Sequence, residues 1–262
     1  MDSVTSSIDL NSDVGESFGA YRLGDDAEVM RSVTSANVAC GFHAGDPAVM
    51  RATVRLARDA GVAVGAHPGF PDLVGFGRRE LNASPREIED LVLYQIGALA
   101  AIARSEGVAL AHVKPHGALY NMAARDRKMA DAIARAVRSF DPALVLFALP
   151  GTELLEAGRA ADVQVAAEGF ADRAYTPDGS LASRSLPGAV IHDPDEVVRR
   201  SLRMVRDGEI VATDGSVLTF RVDTLCVHGD TAGAASLTRL LREGLERSGV
   251  TVRRVPSASS PA

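Results

Sequence analysis

The sequence predicts an α/β fold, a TIM-like (β/α) barrel of seven strands, and three observations carry that prediction. Short apolar runs alternate along the chain with segments of helical periodicity, the pattern of parallel strands joined by helical crossovers. There are seven such units in 262 residues, a length that one barrel fills without splitting. The fingerprints of the open, doubly wound alternative are missing: no G-x-G-x-x-G follows the first strand, and no G-x-x-x-x-G-K-[ST] occurs. One domain over 1–262 is expected, with flexible tails at about 1–7 and 252–262, the second ending in "PSASSPA".

The first strand, 8–11, opens "IDLNSDVGES". Period-two geometry sets Ile8 and Leu10 on one face and Asp9, Asn11 and Asp13 on the other, with Glu16 beyond the glycine. A helix over 25–33 follows. The second strand, 36–40, runs into "CGFHAGD" and supplies Asn37 and His43; Asp46 before Pro47 reads as the N-cap of a helix over 47–60. The third strand, 62–66, ends at His67. Ser84-Pro85 with Glu87 has the spacing of a capping box and starts a helix over 85–106. The fourth strand, 110–114, lies in "LAHVKPHGALYN", where His112, Lys114 and His116 share one face; a helix over 126–140 comes next.

The fifth strand, 144–149, ends in "LPG" and precedes a helix over 152–160. The sixth, 163–167, leads into "EGFADR", with Glu168, Asp172 and Arg173, and Asp193-Pro194 opens a helix over 194–207. The seventh, 225–227, ends in "HGD", with His228 and Asp230, before a helix over 232–248. Two connections, 67–85 and 169–191, are too long for plain turns and are expected to act as substrate loops or lids.

Composition excludes several classes. The net charge is −6 and tryptophan is absent, so no basic, aromatic nucleic-acid surface is expected. No apolar run reaches the length of a membrane span. Two distant cysteines give no disulfide framework, and the N-terminus has no secretory core, so a cytoplasmic protein is expected.

Five of the six histidines fall at strand ends, together with carboxylates and a lysine. In a βα barrel those ends build the site. Small residues at matching parity (Ala39, Gly41, Gly65, Ala166) leave room for polar side chains inside. Carboxylates with histidines suit the activation of water, by general base or on a metal. Lys114 with Arg78, Arg79 and Arg173 suits an anionic substrate, a carboxylate or phosphate. No G-x-S-x-G elbow is present, and Cys40 lies on an apolar parity and reads as core. Residue chemistry alone therefore points to a hydrolase of a small anionic substrate.

The segments "DLNSDVGESFGAYRLGDD", "ANVACGFHAGDP", "GAHPGFPDLVGFGRR", "HVKPHGALYN", "EGFADRAYTPDGSLASR" and "LCVHGD" together resemble the LamB/YcsF family. The likeness runs from about Asp9 to about Leu245, in the family's order; "HPGFPD" is a local variation away from the polar positions. The resemblance implies a barrel similar to the glycoside hydrolase/deacetylase superfamily. It also implies ATP-dependent opening of the 5-oxoproline lactam to L-glutamate, in a complex with the 5-oxoprolinase subunits B and C. On that reading Asp13, with His43 or His67, activates water, and Lys114 and His116 serve the lactam carbonyl or its phosphorylated oxygen. Asn11, Glu16, Asn37, Glu168, Asp172, Arg173, His228 and Asp230 are expected on the substrate side. With no phosphate-cradling loop, ATP as co-substrate is expected to be held partly through the partners, or by strand-end backbone amides. Related barrels bind a divalent ion through an acid and two histidines; here Asp13, His43 and His67 would form that set. Two other readings stay open: a metal-dependent deacetylase or amide hydrolase, and a non-catalytic ligand-binding subunit.

Overall fold

Strand pairing closes the sheet on itself. The computed structural model describes residues 6–228 and 233–256. Parallel strands Ser7–Val14 (β1), Ser35–Ala39 (β2), Ala63–His67 (β3), Leu110–Val113 (β4), Val145–Ala148 (β5) and Gln164–Phe170 (β6) pair in that order. A hairpin, Glu209–Val211 (β7) with Val217–Thr219 (β8), stands apart from the barrel sheet. Thr224–Cys226 (β9) then pairs with β6 on one side and β1 on the other, which closes a seven-stranded barrel. A short strand Thr251–Val252 (β10) pairs with Ser7 and Ile8 at the start of β1. Strand pairing thus reaches into both segments expected as tails.

Helices Asp26–Val29 (α1), Pro47–Ala60 (α2), Pro85–Ser105 (α3), Gly117–Ala123 (α4), Arg127–Phe140 (α5), Glu153–Ala160 (α6), Pro194–Asp207 (α7) and Ala234–Arg247 (α8) cover the barrel. Their starts are written locally. Asp46 accepts the amides of Ala48 (2.8 Å) and Val49 (3.0 Å), so it is the N-cap the sequence suggests. Ser84 and Glu87 close a reciprocal capping box at α3. The stops are equally local: Gly61 and Gly208 end α2 and α7 at φ 69° and 68°, a region where a side chain is strained.

Alternation along the strands divides the core in two. Ile8, Leu10, Val38, Val64, Val113 and Leu146 point outward and pack under the helices in one apolar layer. The inward positions are mostly polar. A small separate cluster of Val145, Phe147 and Ala166 is their apolar complement, with Phe147 stacked on His112 at 4.3 Å. Gly65 makes space for that histidine: a Cβ there would lie 2.1 Å from its Nε2, and the β3–β4 register shifts at this point.

Three elements were not foreseen. The helix α4 is only seven residues long and starts at a glycine, so it lacks a propensity signal. The β7–β8 hairpin turns at Asp214-Gly215 between strands of only three residues, EIV and VLT, too short to show an alternation. Two residues, as in β10, are too few to show a period.

Candidate active site

Three inward residues of β1 begin the site. At the bottom, Asp9 accepts hydroxyl donors from Thr34 (2.7 Å), Ser35 (2.7 Å) and Thr224 (2.5 Å). One layer up, Asn11 donates to Thr224 Oγ1 (2.7 Å), and its Oδ1 accepts from Asn37 (2.7 Å) and Lys114 (3.3 Å). Above it, Asp13 Oδ1 accepts from Asn37 (2.8 Å) and Lys114 (3.0 Å), and its Oδ2 lies 3.4 Å from His67 Nε2. His112 donates to Asn37 Oδ1 at 2.7 Å, which uses both ends of that amide. Asn11, Asn37 and His112 therefore position the reactive layer from below; they are buried scaffold. Burial drives the His112 pKa down to about 3, so the ring is neutral.

Lys114 is the buried cation of the set. Its ammonium reaches Glu168 (2.9 Å), Asp13 (3.0 Å) and the Cys226 sulfur (2.9 Å), and lies 5.3 Å from the centre of the Phe170 ring. Burial by itself would lower its pKa, but the Asp13 and Glu168 carboxylates, with the hydrogen bond to the Cys226 sulfur, outweigh that and hold it well above the usual lysine value. Burial pushes the Cys226 thiol well up, so at neutral pH it is uncharged and the two carboxylates carry the pairing. Asp13 is the mirror case: burial would raise it, yet His67 and Lys114 hold it well below the ordinary carboxylate range.

Above this layer stand the histidines. Nδ1 of His67 donates to the Lys114 carbonyl (2.7 Å), and Nε2 of His116 donates to the Phe76 carbonyl (2.8 Å). Phe76 sits at φ 54°, an uncommon conformation for a residue with a side chain, in the loop after β3. His43 stacks on His116 with ring centres 3.7 Å apart and planes 2° from parallel. Burial, then the neighbouring histidines, keep His43 and His116 well below the usual imidazole pKa. Glu16 Oε1 faces both, 3.4 Å from His43 and 3.7 Å from His116.

On the far side, β6 and β9 place a second pair. His228 Nδ1 lies 3.0 Å from both oxygens of Asp172, whose pKa burial would raise but His228 brings down. A cavity of about 530 Å³ opens between the two sides. Asp13, His67, Lys114, His116 and His228 line it, with Arg78, Arg173 and Arg184 from the two long connections around its rim. That volume is in the range of small-molecule sites.

Most of the expected residues converge here. Asp13, His67, Lys114, His116 and His228 border the cavity; Glu168 and Asp172 brace two of them from behind. His43 does not line it, being wholly buried behind His116. Glu16 turns to the histidines. Arg173 lines the rim, but two of its donors hold the carbonyls of Ala182 and Ala189 in its own loop, and burial brings it down to about 10. Arg79, expected to meet an anionic substrate, instead pairs with buried Asp72 outside the cavity. Asp230 lies outside the described residues. Cys40 is buried core, its thiol pushed up to about 12 by burial. Phe76, Phe170, Thr224 and Arg184 were not singled out in advance. Only Arg184 had a readable signal, as a charge in a long glycine-bearing loop.

Among the described residues, no helix is long and apolar enough to cross a membrane. The LamB/YcsF family model matches residues 8–260. The A subunit of 5-oxoprolinase from Chloroflexus aggregans is 59% identical over 247 residues, which is 94% of this chain and 98% of that protein. Its counterpart of the same name from Pyrococcus furiosus is 54% identical over 245 residues, 94% of this chain and 96% of its own. The crystal structure of a lactam utilization protein from Thermus thermophilus superposes with a TM-score of 0.90 at 55% identity, over 95% of this chain and all of that one. A match of this extent spans the whole barrel and both long connections: the chain belongs to the LamB/YcsF family.

Proposed function

We propose that this chain is the A subunit of an ATP-dependent 5-oxoprolinase, which opens the 5-oxoproline lactam to L-glutamate with ADP and phosphate as the other products. Relatives that bear the name of that 5-oxoprolinase component, at 54–59% identity over more than nine-tenths of the chain, support the reading. The observation that carries it chemically is the cavity that joins the Asp13–His67 pair to a rim of guanidinium groups.

A five-membered lactam is a stabilised amide and a poor electrophile. Transfer of a phosphoryl group from ATP to its oxygen activates the carbon; one water adds there and the ring C–N bond opens to leave an acyl phosphate, which a second water hydrolyses to the carboxylate and phosphate. In this scheme Asp13 and His67 take the proton from water. Lys114 faces the lactam oxygen, His116, with Nε2 on the Phe76 carbonyl and Nδ1 against His67, positions the His67 ring, and the rim arginines hold the substrate carboxylate and the transferred phosphoryl group. His228, oriented by Asp172, is the group placed to protonate the departing nitrogen. ATP is held partly through subunits B and C, since this sequence has no phosphate-cradling loop.

The test is co-expression with the two partner subunits and measurement of ATP- and 5-oxoproline-dependent glutamate release. Asp13→Asn should lower turnover by about 10²–10⁴-fold, the usual worth of a general base, with the circular dichroism spectrum unchanged. A near-normal rate would remove Asp13 from the chemistry. Full activity and tight ATP binding by the chain alone would overturn the role given to the partners.

A further inference from the structure

Phe76 stands at φ 54°, in the left-handed region, yet it carries a large side chain. Its neighbour Gly77, at φ 60°, is the residue type that such a conformation ordinarily takes. At Gly77 a side chain has no room: a Cβ there would lie 2.7 Å from the His43 Cβ and 2.9 Å from the His116 Cδ2. At Phe76 the backbone favours glycine as well, and the sequence supplies a phenyl ring. A strained residue of this kind persists where the surrounding structure over-determines it, and such residues cluster at functional sites.

Both halves of Phe76 meet the site. Its carbonyl accepts the Nε2 proton of His116 at 2.8 Å, which leaves Nδ1 of that neutral ring as the acceptor facing His67 Nε2 at 2.9 Å. Its phenyl ring stands perpendicular to the two stacked imidazoles, 5.3 Å from the centre of His116 and 5.7 Å from that of His43. Against the same ring lies the Arg78 guanidinium, 4.8 Å from its centre, and Arg78 lines the cavity. After burial and the neighbouring histidines, the Arg78 charge also lowers the pKa of His43 and His116, so it stands within electrostatic reach of both. The turn is anchored apart from the ring. The amides of Gly77 and Arg78 donate to the carbonyls of Asp72 (2.9 Å) and Gly75 (3.0 Å), and the Gly77 carbonyl takes the Ala118 amide of α4 (2.9 Å). What the phenyl ring adds is the contact between Arg78 and the histidine layer.

We propose that Phe76 is a positioning residue that links the cavity rim to the histidine layer: its carbonyl sets the His116 ring, and its phenyl ring seats the Arg78 guanidinium. One residue then fixes the spacing between a group that binds an anion and the imidazole that orients His67. The role of Arg78 toward the substrate carboxylate or phosphoryl group rests on the proposed reaction; the link between Arg78, Phe76 and His116 does not.

The experiment is a double-mutant cycle in the whole chain, read by imidazole ¹⁵N and arginine side-chain resonances. In wild type the Arg78 δ-methylene protons are expected upfield of their free-arginine position, shifted by the phenyl ring. Arg78→Ala should move the His116 and His43 signals in wild type, and should move them less than about half as far in Phe76→Leu. Phe76→Tyr keeps the aromatic face and should restore the wild-type response. In the complex with the two partner subunits, Phe76→Leu should raise KM for 5-oxoproline about 2–5-fold, the worth of an exposed cation–π contact, and leave kcat within about twofold, because the carbonyl to His116 remains. The proposal is overturned if Arg78→Ala moves the imidazole signals equally in both backgrounds or in neither, if the wild-type arginine protons show no ring shift, or if Phe76→Leu lowers kcat and leaves KM unchanged. The ring shift is read on wild type, so a variant that fails to fold does not blunt the test. A wild-type complex that does not turn over 5-oxoproline would count against the proposed reaction, and the spectra would still decide the role of Phe76.

Discussion

At the scale of the residue, Lys114 organises the barrel's inner layer. Its charge stands between Asp13 and Glu168, none of the three is solvent-exposed, and the neighbouring thiol is neutral. Lys114→Met would keep most of the volume but leave two buried carboxylates without their cation. Breaking one partner out of a buried ion pair typically costs about 3–5 kcal/mol, so urea unfolding of the variant at pH 7 should show a loss of that size. A loss below about 1 kcal/mol, the worth of an exposed pair, would mean that the carboxylates are stabilised by other groups.

At the scale of the element, Glu106 just past the end of α3 ties that helix to α2. It takes Arg55 through Nε (2.8 Å) and Nη2 (3.1 Å), and it also pairs with Arg51. The Arg55 and Arg51 hydrogen bonds lower its pKa from 4.5 to about 2. A carboxyl held low in the folded chain contributes stability above its ordinary pKa and loses it as pH falls through the folded value. Glu106→Gln should therefore lower the melting temperature by a few degrees above about pH 5, with the gap closing as the pH approaches 2. A deficit independent of pH would mean that the link is packing and not charge.

At the scale of the whole molecule, closure depends on the seam between β1 and β9, residues more than 200 positions apart in the chain. Thr224 bridges it with one hydroxyl, which accepts from Asn11 and donates to Asp9. Thr224→Val keeps the shape and leaves the Asn11 amide without that acceptor. An unsatisfied buried polar group costs about 1–3 kcal/mol, and chemical denaturation should show that loss. Amide exchange should rise first along β1 and β9 if the seam is where the barrel opens. Uniform exchange across all strands would place the weak point elsewhere.

Local and periodic features are legible along the chain. Alternation in "IDLNSD" separates a helix-facing edge from a polar inner edge, and Asp46-Pro47, Ser84-Pro85 and Asp193-Pro194 start helices that the fold keeps. The sequence also marked Asp13, His67, Lys114, His116 and His228 as strand-end chemistry, because every strand of such a barrel delivers its end to one face. Tertiary structure alone decided the pairings. Whether Glu16 turns toward substrate or toward His43, whether Arg79 reaches the cavity or Asp72, and whether His43 borders the cavity or stacks behind His116 depend on contacts between distant segments. Period and propensity describe how a residue leaves its own backbone; they carry no information on which partner the closed barrel sets opposite it.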